Sequence, residues 1–260
     1  RLSYNFVPEL SIPDLSSMNL CNAAQKLELE RLAGLYTTEN GSMDEAYAYK
    51  LQNVRRGVNT DWIRAPLRVP FSHTHSLSLS GRAQKIDYRT SLRFSDKYGV
   101  MKGDNRRNYT LNFSIGYHMR DKLTLRYTAN YSLTDAKESP YGDFSAYTRL
   151  NPYDTPFDEY GNLVKAFNFD PEDTSTSGDG HQVNPLYNAT LSSFETTHDQ
   201  TLRNTVDAKW YVTKDFFITG QFNVDIKTNQ YDRYTSPEDA TYLGETDPAK
   251  RGEYRAGRGG

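Results

Sequence analysis

From Lys122 to Leu133 the chain reads KLTLRYTANYSL, and no other stretch constrains the fold as strongly. Leu123, Leu125, Tyr127, Ala129, Tyr131 and Leu133 fall on one parity, while Thr124, Arg126, Thr128, Asn130 and Ser132 fall on the other. Successive strand side chains point to opposite faces, so this is a strand with one apolar and one wet face. At ~3.3 Å per residue, a dozen residues are also enough to cross a bilayer at a tilt.

The pattern recurs. Tyr109 to Tyr117 and Ile86 to Phe94 alternate. Leu202 to Val212 does so with Asn204 interrupting the apolar parity, and Phe216 to Ile226 repeats it. A shorter strand is expected over Thr74 to Ser80, and Leu2 to Val7 begins another, giving about seven strands. Tight turns are expected at Gly81-Arg82-Ala83, Met119 to Asp121 and Thr213-Lys214-Asp215. The connections Asp96 to Asn105 and Thr134 to about His198 are longer, and Tyr231 to Arg258 reads as a further outer loop. Short turns at one end and long loops at the other are the plan of an outer-membrane barrel.

Composition agrees without deciding. The mean hydropathy of -0.80 and the absence of a long apolar run exclude a transmembrane helix, which needs ~20 apolar residues. A barrel escapes that test because its strands alternate. The net charge of -2 gives no footprint for nucleic acid. Cys21, the one cysteine, cannot form an internal disulfide and reads as an inert loop thiol. The start at Arg1 and the end in Arg255-Ala256-Gly257-Arg258-Gly259-Gly260 suggest a fragment of a longer chain. The expected fold class is therefore all-β: an antiparallel transmembrane β-barrel segment with long outer loops and two short loop helices. The alternative from the same alternation is a soluble or surface-attached β-sheet module that binds a glycan.

The helices are expected over Asn22 to Gly34, with Ala24, Leu27, Leu32 and Leu35 near helical spacing, and over Ser42 to Arg56, opened by a Ser cap and Asp44-Glu45. Arg89, Arg93, Arg126, Arg203, Asp207, Lys209 and Asp225 lie on the polar parity and would face a watery lumen. Trp210 and the strand tyrosines suit an aromatic girdle at the lipid headgroups. Tyr141, Phe144, Tyr147, Tyr153, Phe157 and Tyr160 crowd the long loop. They either pack that loop onto itself or contact a substrate or partner. Asp154, Asp158, Glu159, Asp170, Glu172 and Asp173 share the loop, but their spacing is not that of an EF-hand. His73 and His75 share a strand face without a third ligand at fitting spacing, so a membrane-interface rim is the preferred reading over metal. With no nucleophile elbow, Walker loop, zinc-protease or dinucleotide fingerprint, neither catalysis nor a cofactor is expected.

Six local motifs in series carry a resemblance. They are Asn22-Ala23-Ala24 leading to Leu32-Ala33-Gly34-Leu35-Tyr36; Arg55-Arg56-Gly57-Val58-Asn59-Thr60-Asp61-Trp62; His75 to Gly81; and Tyr98 to Gly103 with Arg106 to Tyr109. Pro140 to Phe144 follows, with Tyr147, Leu150 to Tyr153 and Tyr160 to Leu163; Asn184-Pro185-Leu186-Tyr187-Asn188-Ala189 closes the series. In this order they resemble the first part of the barrel of SusC/RagA-type TonB-linked outer-membrane transporters. The resemblance implies a 22-stranded barrel with an N-terminal plug, importing oligosaccharides or peptides. It also implies a SusD-like surface lipoprotein as lid, the TonB complex as energy source through the plug, and outer-membrane lipid around the wall. Residues 1–260 would then be a partial barrel domain without the plug and the C-terminal strands.

Overall fold

The computed structural model describes residues 1–36, 42–119, 122–167 and 182–259, with backbone alone at 42–44. Its frame is one antiparallel sheet. The strands are β1 (Leu2–Leu10), β2 (Phe71–Ala83), β3 (Ile86–Tyr98), β4 (Asn105–Met119) and β5 (Leu123–Lys137). A small two-stranded sheet follows, β6 (Ala166–Phe167) with β7 (Gln182–Val183). The large sheet continues with β8 (Phe194–Tyr211), β9 (Phe217–Thr235) and β10 (Glu253–Gly259). Its order, β1-β2-β3-β4-β5-β8-β9-β10, follows the chain, so each strand pairs with its predecessor in the sheet.

The ladder therefore holds eight strands, one more than the alternation predicts. Tyr231–Thr235 completes β9 and Glu253–Gly259 returns along it, so only residues 236–252 remain of the loop expected over Tyr231 to Arg258. In the sequence EYRAGRG only Tyr254 and Ala256 share an apolar parity before Arg258 breaks it, too short a run for a period-two signal. Gly81-Arg82-Ala83 is strand, and the turn falls at Gln84-Lys85, with Gln84 at φ 47, in the left-handed region. The long loop begins after Lys137 and ends before Phe194. Met119 closes β4, but Asp121 of the expected turn lies outside the described residues.

The register sorts the side chains as the alternation predicts. One row across the sheet is Tyr4, Leu77, Leu92, Leu111, Tyr131, Leu202 and Ile226. The neighbouring row on the other face is Ser3, Ser78, Ser91, Asn112, Asn130, Arg203 and Asp225. The apolar face is open: Leu92, Leu111, Phe222 and Ile226 are all exposed. A sandwich would bury that face under a second sheet.

The apolar band also runs obliquely. On β8 and β9 its continuous run ends toward the loops at Leu202 and Ile226, whose row meets β1 at Tyr4; Phe194 and Tyr234 reappear on that face only eight residues further on. On β1 and β2 the apolar residues continue to the pair Leu10 and Phe71, about six residues further along β1. At ~3.3 Å per residue and ~4.8 Å per strand, that offset corresponds to a strand tilt of roughly 35–40°. A barrel strand inclined by ~35–45° through a flat apolar layer requires this slope.

The buried hydrophobic clusters lie in the loops, not against the sheet. One comprises Trp62, Tyr147, Leu150 and Phe167; the other Ala23, Leu27 and Tyr153. Helix α1 (Ala23–Leu32) starts at a capping box in which the Asn22 side chain and Gln25 bond reciprocally. It buries Ala23, Leu27 and Glu30, whereas the expected Ala24, Leu32 and Leu35 are exposed. Periodicity selects hydrophobic residues, and a buried, fully partnered Glu escapes it. Helix α2 (Ser42–Arg55) forms where expected, while the side chains of Ser42 and Asp44 lie outside the described residues.

Candidate functional site: the outer-loop assembly and the two sheet faces

The three long connections knit into one body at the loop end of the sheet. Trp62 donates its indole N–H to the Asn151 carbonyl at 2.8 Å. The Thr60 hydroxyl donates to the Asp154 carbonyl at 2.6 Å, and the Thr60 N–H reaches the Pro152 carbonyl at 2.8 Å. Asn59 accepts from the Ala23 N–H, which joins the start of α1 to the same strip. The Lys102 amine donates to the Ala65 carbonyl at 2.6 Å, and Ser139 donates to the Lys102 carbonyl at 2.7 Å. Gly103 sits at φ +85 beside Pro140, where a Cβ would come within 2.4 Å of the proline ring.

Asn184 is fully buried and donates to the Val164 and Pro156 carbonyls. Its oxygen accepts from the Leu186 N–H, capping the short helix α4 (Pro185–Asn188); α3 is Phe144–Thr148. The last loop docks through Lys165 to Glu238 at 2.7 Å and Asn188 to Asp239 at 2.9 Å. Asn59, Thr60, Trp62, Lys102 and Asn184 of the motif series thus satisfy backbone groups between loops. The asparagines Asn59 and Asn184 carry the joints, and residue type alone does not reveal them.

At the centre, Glu30 is buried against α2 and the long loop. Tyr153 donates to both its oxygens, at 2.9 and 3.1 Å, and Tyr36 donates to one of them. The Lys50 and Lys26 amines lie 3.6 and 3.3 Å away. Burial pushes the Glu30 carboxyl up, but the hydrogen bonds from Tyr36 and Tyr153 and the two lysine charges outweigh it, so the group sits below the usual range. Burial beside this carboxylate drives the Tyr153 phenol far up, so it stays a donor.

The six loop aromatics divide. Tyr147 and Tyr153 are each 1% exposed and belong to the loop clusters; Tyr141 packs on the first cluster, and Phe144 is half-buried. Phe157 and Tyr160 are exposed, Tyr160 at 86%. They stand on a tight turn closed by Asp158, whose Oδ1 accepts from the Tyr160 and Asn162 N–H groups at 2.9 and 2.8 Å. Those bonds hold the Asp158 carboxyl below its ordinary value. Of the other loop acids, Asp170, Glu172 and Asp173 lie outside the described residues.

Arg89, Arg93, Arg126, Arg203, Asp207, Lys209 and Asp225 share the polar face. Arg203 makes a two-pronged pair with Asp225, both contacts at 2.8 Å. Asp87 takes Arg126 at 3.4 Å and His118 at 2.5 Å, and Gln221 donates to Asp207 at 2.9 Å. Among the described residues Arg89 and Arg93 make no ion pair; hydroxyl residues flank both. On the apolar face, His73 and His75 stand 5.1 Å apart among Phe6, Phe71 and Phe94, and Tyr4 bonds His75 at 2.7 Å. Trp210 is half exposed on the same face, near the turn end.

No protein-family model matches the sequence. The chain is 22% identical over 249 residues to the TonB-dependent receptor P26 of Formosa agariphila, covering 92% of this chain and 23% of that protein. Among solved structures, the RagAB peptide transporter superposes with a TM-score of 0.68 at 15% identity, covering 95% of this chain and 30% of its own. The open-open state of the RagAB peptide importer gives 0.67 at 16% identity, covering 92% and 29%. The chain spans less than a third of the length of each of these relatives. Over nearly its whole length, the chain is similar to a TonB-dependent receptor in sequence and has the fold of the RagAB barrel wall, the resemblance its motifs carried.

Proposed function

We propose that this chain forms part of the wall and outer loops of a TonB-dependent outer-membrane transporter that imports oligosaccharides or peptides with a SusD-like lipoprotein as lid. The observation that carries the reading is the open apolar face whose band slopes across the ladder as a tilted barrel wall requires. The relative named a TonB-dependent receptor and the likeness to a peptide transporter support it. In this reading residues 1–260 are a partial barrel domain, and the plug and the remaining strands belong to the rest of the protein.

The role is mechanical, not catalytic, and uses no cofactor. Strands hold the wall against lipid. The polar face lines the lumen, where Arg89 and Arg93 are free to meet carboxylates of the plug, through which the TonB complex acts. The loop assembly is a rigid platform, with Phe157 and Tyr160 presented to substrate or lid. The glycan-binding module reading loses support because a soluble sheet would not leave its apolar face uncovered.

The test is separation of bacterial membranes followed by an immunoblot against this chain. An outer-membrane band several times heavier than 29.8 kDa, migrating faster unboiled than boiled, is expected. A band near 29.8 kDa in the soluble fraction, monodisperse without detergent, would overturn the reading.

A further inference from the structure

We propose that β3 carries a cationic ladder on the lumen wall that passes anionic cargo along it, so that the transported molecule bears carboxylate or sulfate groups. The inference rests on the barrel reading above and deepens it by naming the charge of the substrate.

Lys97, Arg93 and Arg89 share the polar parity of β3, each four residues from the next. At ~3.3 Å per residue the steps are ~13 Å, and the three cations cover ~26 Å of wall. All three are exposed, as is Arg106, which stands directly opposite Lys97 on β4. Like charges directly opposite each other destabilise a strand pair, and a visiting anion relieves that repulsion.

The first five strands supply little negative charge to offset the ladder. Among the described residues their polar face carries two carboxylates, Glu9 and Asp87. Glu9 pairs with Lys97 at 2.9 Å, and Asp87 is already taken by Arg126 and His118. Arg89, Arg93 and Arg106 make no ion pair among the described residues. The far side of the same face differs, because there the wall neutralises Arg203 itself through Asp225. Uncompensated cations are thus a property of β3 and its neighbour β4, and not of the polar face in general.

The neighbours suit an oxyanion. Arg93 stands between Ser76 and Thr110, and Arg89 between Ser80 and Ser114. Ser91, midway between the two arginines, faces Ser78 and Asn112. None of these neighbours is apolar or acidic. A guanidinium flanked by hydroxyl donors offers several hydrogen bonds to a carboxylate or sulfate oxygen. Single cations set apart along a wall bind an anion well enough to admit it and weakly enough to release it to the next, which a conducting path needs. A plug carboxylate at Arg89 or Arg93 in the closed transporter is compatible with this, since the same guanidinium groups meet the cargo once the plug yields.

The test places one thiol on the ladder of the full-length transporter, in cells that hold its TonB complex. The background lacks cysteine, with Cys21→Ser as this chain's share. Ser91→Cys sits between Arg89 and Arg93; Thr205→Cys, on β8 between Arg203 and Asp207, is the balanced reference. The probes are a sulfonate-bearing methanethiosulfonate and its trimethylammonium counterpart. In energised cells the ratio of sulfonate to ammonium rates should be about tenfold higher at Ser91→Cys than at Thr205→Cys, as two partly screened charges ~7 Å away dictate. Adding Arg89→Gln and Arg93→Gln should return the ratio to the reference. Equal ratios at the two positions would overturn the proposal, because the plug would then neutralise the ladder at all times. So would a Ser91→Cys thiol that stays unreactive in energised cells. Excess oligogalacturonate, oligoglutamate and neutral maltohexaose then identify what carries the anion. Slowing by the first marks an acidic sugar, by the second an acidic peptide, and by both a path that reads charge alone. Slowing by maltohexaose alone, or by none, would overturn the proposal. Heat-shifted migration and outer-membrane fractionation, read on the same samples, separate failure of the ladder from failure of the barrel reading.

Discussion

The Tyr153 hydroxyl bonds the Glu30 carboxylate across 123 residues of sequence, at 2.9 Å, and ties the long loop to the first loop helix. Tyr153→Phe removes that donor to a buried charge at almost constant volume. The outer-loop assembly should lose about 1.5–3 kcal/mol, the usual worth of a hydrogen bond to an ionised group. Limited proteolysis of the loops should accelerate while the strands stay protected. Unchanged cleavage would show that Glu30 is adequately held by Tyr36 and the lysines.

The same carboxylate sets a pH dependence. Its folded pKa lies below the ordinary value of 4.5, so the stabilisation is fully present above that pH and is lost as pH falls through the lower folded value. Loop proteolysis followed downward from pH 6 should rise only below about pH 4.5. In Glu30→Gln, weakened at every pH, that dependence should be much flatter.

Gly103 and Gly161 both have φ near +83 to +85, but only Gly103 faces a close neighbour, Pro140. Gly161→Ala should cost about 1 kcal/mol, the strain of a left-handed non-glycine residue. Gly103→Ala adds a clash with the Pro140 ring and should cost clearly more. Comparing the two thermal unfolding midpoints in detergent tests the difference.

Leu111 lies in the middle row of the apolar face, opposite Leu92 and Tyr131. Leu111→Arg should destabilise the membrane-inserted barrel by about 2–4 kcal/mol, whereas Arg at a lumen position should be tolerated. Asn112→Arg, one residue along and on the polar face, is the paired control. Equilibrium refolding into lipid vesicles reads both.

Tyr160 is exposed on a turn that Asp158 already holds, so Tyr160→Ala should leave folding intact. If the turn meets substrate or lid, uptake by the intact transporter should fall several-fold, as expected for an interface tyrosine. Wild-type uptake in Tyr160→Ala and Phe157→Ala together would assign the turn no role in contact.

Alternation determined the strands and their two faces, and the tight turns between them determined their antiparallel order. Apolar parity persists wherever a strand carries the apolar band, and Leu123 to Leu133 shows it plainly. It did not determine where the strands end. Beyond that band a strand needs only backbone pairing, so β8 and β9 run on past Leu202 and Ile226 through mostly polar residues, and Glu253–Gly259 pairs with no more than Tyr254 and Ala256 on an apolar parity. Nor could it divide the loop aromatics: burial of Tyr147 and Tyr153, against exposure of Tyr160, depends on Trp62, Leu27 and Glu30 arriving from another loop. Local pattern reports which face meets an apolar surface. Which side chains close a core across more than a hundred residues is fixed only when the tertiary fold brings their partners together.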